Sequence, residues 1–159
     1  MAISDDDLRH LRRCVELARE ALDDGDEPFG SMLVDESGQT LFEDRNRVKD
    51  GDATQHPEFA IARWAVEHLA PPQRSRATVY TSGEHCPMCA AAHGWVGLGR
   101  IVYATSSAQM SGWLAEWHTA PGPVEALPLT TVAPRTEIDG PAPELAEPMK
   151  ALYAAKFQL

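Results

Sequence analysis

Leu8, Leu11, Val15, Ala18 and Leu22 recur at spacings of three and four near the start of the chain, which is the pattern of one apolar helix face. Ser4 is placed to cap that helix, and Asp5, Asp6 and Asp7 suit the positive end of its dipole. Gly25 suits its stop, so a helix is expected over 5–24. Pro28-Phe29-Gly30 leads into an apolar strand, Ser31 to Asp35. Ser37-Gly38 turns the chain and Thr40 to Glu43 returns it, a hairpin pattern. Phe59, Ala62, Val66 and Leu69 restore helical spacing over 56–70, and Pro71-Pro72 ends it. A strand-like run over 77–81, a helix from Cys86 to about Val96 and a strand from Ile101 to Thr105 follow. Such alternation predicts crossover units on one sheet. Beyond Ser106 the pattern weakens. Trp113, Leu114 and Trp117 suit a short helix, and seven of the twelve prolines fall between Pro121 and Pro148, a density that demotes strands to edges. Val124 to Leu127 is the candidate fifth strand. Leu145, Met149 and Leu152 predict a last helix over 143–157. No internal repeat or linker divides the chain, and 1–159 reads as one domain.

Composition narrows the class. At 159 residues and 43% hydrophobic, the chain is long enough to bury a core without disulfides, and its three cysteines do not make a secreted framework. No apolar run approaches the roughly 20 residues that span a bilayer. The acidic start does not suit a signal peptide, so a reduced, cytoplasmic protein away from membranes is expected. Net charge is −10, and the densest basic group, Arg45, Arg47 and Lys49, is flanked by Glu43, Asp44, Asp50 and Asp52. Its long-range field repels phosphate backbones, so a nucleic-acid partner is not expected.

The candidate chemistry lies at two helix starts. Cys86 and Cys89 form a Cys-x-x-Cys pair around Pro87, and proline belongs in a first helical turn. The dipole there favours thiolate. Alone, the pair reads as metal-binding or redox. His56-Pro57-Glu58 opens the other helix. One imidazole and two sulfurs would leave the fourth tetrahedral position of a zinc ion open, as catalytic sites require. Glu58 is then a carboxylate beside the ion and not needed as a ligand. His-x-Glu followed by Pro-Cys-x-x-Cys is the zinc deaminase signature. Residues two apart inside a helix face different ways. His56 and Glu58 share a site only if His56 stands at or before the first helical residue, which Pro57 permits.

With Pro28-Phe29-Gly30, Asn46, His56-Pro57-Glu58 and the run Thr81 to Cys89, the chain resembles the cytidine/deoxycytidylate deaminase superfamily. It looks most like the branch of bacterial guanine deaminases, tRNA adenosine deaminases and general nucleoside deaminases. The resemblance covers the first two thirds, to about Thr105. It implies a hydrolytic deaminase, with Zn2+ held by His56, Cys86 and Cys89 and protons carried by Glu58. Asn46 would contact base or sugar, Phe29 would line the pocket, and Trp113 and Glu116 are candidates for its mouth. A homodimer or larger assembly follows, in which Trp113 or Trp117 would reach a partner's site. Two positions depart from the pattern. His85 stands where proline is usual and is expected in the pocket or on a surface loop, and Pro57 replaces the commoner alanine. His93 is expected as a satisfied helical histidine.

The predicted fold is α/β, a three-layer α/β/α sandwich around a mixed five-stranded sheet. The expected function is zinc-dependent deamination of a free nucleobase or nucleoside (an amino-substituted purine, pyrimidine or related heterocycle), with a guanine-like base placed first. The alternatives are tRNA adenosine-to-inosine deamination and a non-catalytic zinc or thiol-redox module.

Overall fold

The computed structural model describes residues 2–158. Helix α1 spans Asp5–Asp23 and opens on the expected cap: Ser4 Oγ accepts from the Asp7 N–H while Asp7 Oδ2 accepts from the Ser4 N–H. Strands β1 (Gly30–Val34) and β2 (Thr40–Arg45) form the antiparallel hairpin. Helix α2 is Pro57–His68. Pro71-Pro72 ends it as expected but also opens a short helix of its own, α3, Pro71–Arg76, because proline is preorganised for a first turn. Strand β3 (Thr78–Gly83), helix α4 (Pro87–Val96) and strand β4 (Ile101–Thr105) make the parallel crossover unit. Helix α5 (Ser107–Glu116), the four-residue α6 (Leu129–Val132), strand β5 (Ile138–Asp139), a 3₁₀ turn and helix α7 (Ala146–Phe157) complete the chain.

The sheet order is β2-β1-β3-β4-β5, antiparallel on the hairpin side and parallel from β3 to β5. Successive strand residues point to opposite faces, and the two cores follow that rule. Met32, Val34, Tyr80, Val102 and Ala104 pack under α1 and α7. Leu33, Val79 and Ile101 pack under α2 and α4. The result is the expected mixed five-stranded sheet with helices on both faces.

The fifth strand is a correction. Residues 124–127 are exposed loop, and the edge position is taken by Ile138–Asp139, paired with Ile101 and Val102. Pro121, Pro123 and Pro128 crowd the expected segment and remove the donors a strand needs. No helix among the described residues is long and apolar enough to cross a membrane.

Candidate active site

Two helix starts on the same side of the sheet bring the chemistry together. His56 is the N-cap of α2 with extended backbone, φ −91° and ψ 140°, and Pro57 is the first helical residue. The imidazole therefore sits outside the helical spiral, which lets it share a site with Glu58 two positions on. Cys86 is likewise the N-cap of α4, φ −66° and ψ 165°, ahead of Pro87. His56 Nδ1 lies 3.5 Å from Cys86 Sγ and 3.6 Å from Cys89 Sγ. These three are the one group of metal-type side chains within 4.8 Å of one another among the described residues. Zinc bonds of about 2.0–2.1 Å to nitrogen and about 2.3 Å to sulfur, at a tetrahedral angle, put the ligand atoms about 3.5 Å apart. The observed spacing fits that ion.

The three side chains also set one another's protonation, and contact with Cys86, with burial, pushes the Cys89 thiol well above its ordinary value. The Cys89 thiol lies within hydrogen-bond reach of Cys86 and, against burial, brings the Cys86 thiol down to about 4; His56 adds to the effect. Contact with Cys86 lifts His56 to about 8, against burial. Glu58 is buried, and burial raises its carboxyl while His56 pulls the other way. Thr81 Oγ1 lies 3.0 Å from Glu58 Oε1 and 2.9 Å from the Gly83 carbonyl oxygen, and accepts from Ser31 Oγ at 2.8 Å. A hydroxyl has one proton and two lone pairs, so Thr81 can serve both states of Glu58. It donates to the ionised carboxylate, or accepts from the protonated one and turns its own proton to Gly83.

These groups open on a cavity of about 300 Å³ lined by His56, Glu58, Cys86 and Phe29, with Glu27, Glu84 and a stretch of α5 and the 122–126 loop. Gly30 keeps Phe29 there. Strand β1 crosses α1 so closely that a Cβ on Gly30 would lie 2.4 Å from Leu17 Cβ and 2.5 Å from the Cys14 carbonyl oxygen. Glu84 closes the opposite side. Its two carboxylate oxygens accept from Ser107 N–H at 2.8 Å and Leu129 N–H at 2.7 Å, which ties the starts of α5 and α6 to the end of β3. A larger open depression of about 570 Å³ around Trp95 and Arg135 contains none of these residues.

The other expected residues fall differently. Asn46 is 1% exposed and stands behind Glu27. Its Oδ1 accepts from the N–H groups of Glu27 (3.3 Å) and Val48 (3.1 Å), and its Nδ2 has no partner among the described residues. Trp113 and Glu116 do not line the cavity. Trp113 packs against Tyr153, and exposed Glu116 pairs with Lys150 at 3.4 Å. Helical spacing is the reason: Ser107, Met110, Ser111 and Leu114 share the face of α5 that meets the cavity, and 113 and 116 point elsewhere. His85 is neither pocket nor surface. It is buried edge-on to His93, ring centroids 5.5 Å apart, and burial holds it neutral. His93 is only half satisfied: its Nε2 lies 2.7 Å from the Gly99 carbonyl oxygen, while its buried Nδ1 has no hydrogen-bond partner among the described residues. The reading from sequence missed Glu27, Glu84 and the 122–126 loop. Glu27 adjoins Pro28-Phe29-Gly30 and Glu84 lies inside the run Thr81 to Cys89, and that placement is the available signal.

Comparison with known proteins agrees with this geometry. The family model described as the cytidine and deoxycytidylate deaminase zinc-binding region matches residues 4–105. The chain is 37% identical over 107 residues to a probable cytosine deaminase of Schizosaccharomyces pombe, covering 66% of this chain and 64% of that protein. It is 34% identical over 87 residues to a tRNA-specific adenosine deaminase of Agrobacterium fabrum, covering 54% and 57%. Each match thus spans less than two thirds of the relative's own length. A solved structure of guanine deaminase from Nitrosomonas europaea superposes with TM-score 0.68 over 97% of this chain and 86% of that one, at 19% identity, a likeness of fold. The motif, the imidazole–sulfur cluster and the matched region together place the chain in the cytidine and deoxycytidylate deaminase family, whose cofactor is zinc.

Proposed function

We propose that this protein removes the exocyclic amine of a free nucleobase or nucleoside by hydrolysis, releasing ammonia. The observation that carries the reading is the cluster of His56, Cys86 and Cys89 beside buried Glu58, opening on one cavity. His56, Cys86 and Cys89 would hold the zinc. Bound there, zinc supplies the Lewis acidity that readies a water for attack near neutral pH. Glu58 accepts a proton from the attacking water and passes it to the ring nitrogen. It then takes the remaining proton from the added hydroxyl and delivers it to the departing amine, so amine and water become carbonyl and ammonia. Thr81 accommodates both protonation states of Glu58. Phe29 packs against the ring of the substrate. Asn46 offers its unpartnered Nδ2 to a base or sugar acceptor, since a buried donor without a partner is costly.

The relative named as a tRNA-specific adenosine deaminase keeps tRNA as a second reading. The net charge of −10 and the small cavity favour the free base or nucleoside, and so does the named cytosine deaminase relative. A guanine-like base remains a candidate beside cytosine. Strand β5 of the last third pairs with β4, and α7 packs on the same core as α1, which supports reading residues 1–159 as one deaminase unit. Free, reduced cysteines suit a cytoplasmic site of action.

The test is ammonia release by zinc-loaded protein from cytosine, guanine, adenine, isocytosine, aminotriazines and the corresponding nucleosides, with tRNA as a separate arm. Release from a base or nucleoside is expected. Inosine formation in tRNA with no turnover of any small molecule would overturn the choice of substrate. Silence in both arms would overturn the enzyme reading.

A further inference from the structure

Glu27 lines the cavity that holds Glu58 and the metal-type cluster. It is half-buried, and its carboxylate has no hydrogen-bond or ion-pair partner among the described residues. Its backbone is fixed. The Glu27 N–H donates to Asn46 Oδ1 at 3.3 Å, and its carbonyl accepts from the Phe29 N–H at 2.9 Å. Asn46, 1% exposed, has an Nδ2 with no partner either. Glu27 thus presents to the cavity an acceptor on which His56 and Lys156 act only at a distance, with the unpartnered Asn46 amide buried behind it. Poorly hydrated polar groups without partners are unfavourable, and a ligand that supplies the partner relieves the cost.

The remaining walls fix the sign of that ligand. Glu84 lines the same cavity with both oxygens taken by backbone N–H groups, and exposed Glu125 stands on the loop at the mouth. Among the described residues no lysine or arginine lines the cavity. Away from the zinc at the reacting end, a phosphate entering it would bring between one and two further negative charges to a wall of carboxylates with no lysine or arginine to receive them.

We infer that Glu27 is a specificity-determining residue. It accepts a hydrogen bond from an N–H or O–H group of the substrate remote from the reacting amine, and the cavity admits unphosphorylated amino-heterocycles and rejects nucleotides. The inference rests on the deaminase reading above. The donor is either a ring N–H of a free base or a hydroxyl of a nucleoside sugar; both present the same uncharged donor.

The test uses zinc-loaded Glu58→Gln protein, which binds without turnover, titrated calorimetrically with cytosine, guanine, cytidine, guanosine, CMP and GMP. At least one base or nucleoside is expected to bind, and each monophosphate at least about tenfold more weakly than its nucleoside. Adding Glu27→Gln keeps the side chain's shape and, by metal analysis, the zinc. It is expected to weaken the favoured compound about tenfold to a hundredfold, the effect of losing a charged hydrogen bond. Loss confined to free bases assigns the donor to the ring; loss confined to nucleosides assigns it to the sugar. Glu27→Asp keeps the charge and is expected to restore part of the affinity, which a merely structural role would not do. Unchanged affinity in Glu27→Gln, or a monophosphate bound as tightly as its nucleoside, overturns the inference. If wild-type protein deaminates the panel and Glu27→Gln leaves kcat/KM unaltered, only the Glu27 assignment falls. If wild-type protein neither binds nor deaminates any member, the deaminase reading falls and takes this inference with it.

Discussion

Glu58 is buried against the Thr81 hydroxyl, with His56 two positions before it and, among the described residues, no lysine or arginine hydrogen-bonded to it. A carboxyl in such surroundings gives up and takes back a proton readily, which is what a shuttle between water, ring nitrogen and amine requires. Glu58→Gln keeps the shape and removes that capacity. It is expected to retain one equivalent of zinc by metal analysis while turnover falls about 10²–10⁴-fold. Turnover near the wild-type rate would show that the proton moves by another route. His56→Ala should behave in the opposite order, losing zinc first and activity as a consequence. At this scale the sequence was informative where chemistry demands particular atoms. An imidazole and two thiols at two helix starts have few other uses, and their spacing located them. Trp113 and Glu116 lie on the same helix as the lining residues of α5, but a rotation of about 100° per residue turns them from the cavity. Glu27 carries no such chemical mark; a glutamate beside a turn reads as solvated until its neighbours are in place.

Elements are held in place by single residues that bridge them. Gly30 is where β1 and α1 touch, and even an alanine there would drive its Cβ to 2.4 Å from Leu17 Cβ. Overpacking of this kind costs about 1–3 kcal/mol. Gly30→Ala should therefore lower the melting temperature by about 3–10 °C for a chain of this size, and a melt unchanged within 1–2 °C would mean the contact yields easily. Glu84 bridges α5 and α6 through the Ser107 and Leu129 N–H groups. Glu84→Ala should leave these donors open and loosen the 122–126 loop, seen as faster amide exchange there with the core unaffected. The elements themselves were legible where a local signal is strong: α1 and α2 follow from apolar spacing, α4 from Pro87 in its first turn, and the strands of the hairpin and crossover from short apolar runs bounded by turns. The end of the chain was not. Strand β5 has two residues, too few for any period to register, and its place beside β4 is set by tertiary pairing with Ile101 and Val102. The proline-rich segment that looked closest to a strand instead forms the cavity wall.

Across the whole molecule, one polar network joins the first helix to the middle and the end of the chain. Arg100 donates to both oxygens of Asp7 at 2.9 and 3.0 Å and to Asp139 at 2.7 Å, and Tyr80 Oη donates to Asp7 at 2.7 Å. Burial alone would raise the Asp7 carboxyl, but the bonds from Arg100, the Ser4 N–H and Tyr80 outweigh it and hold Asp7 far below the usual carboxylate range. Its folded-state pKa is depressed, so the stabilisation it contributes is fully present above the unfolded value of about 3.9 and is lost as pH falls toward the folded one. Asp7→Asn removes the charge but keeps the size. It leaves Tyr80 and Arg100 with a weaker acceptor and should cost about 3 kcal/mol near neutral pH, the usual loss when one partner of a buried pair is removed. Asparagine does not titrate, so the gap between wild type and variant should be constant from pH 7 to about pH 5 and close as pH drops below about 4. Urea melts of both proteins at pH 7, 5 and 3 measure this directly. A gap that persists undiminished at pH 3 would mean that Asp7 acts through packing, and the depressed carboxyl would then have no part in joining the termini to the sheet.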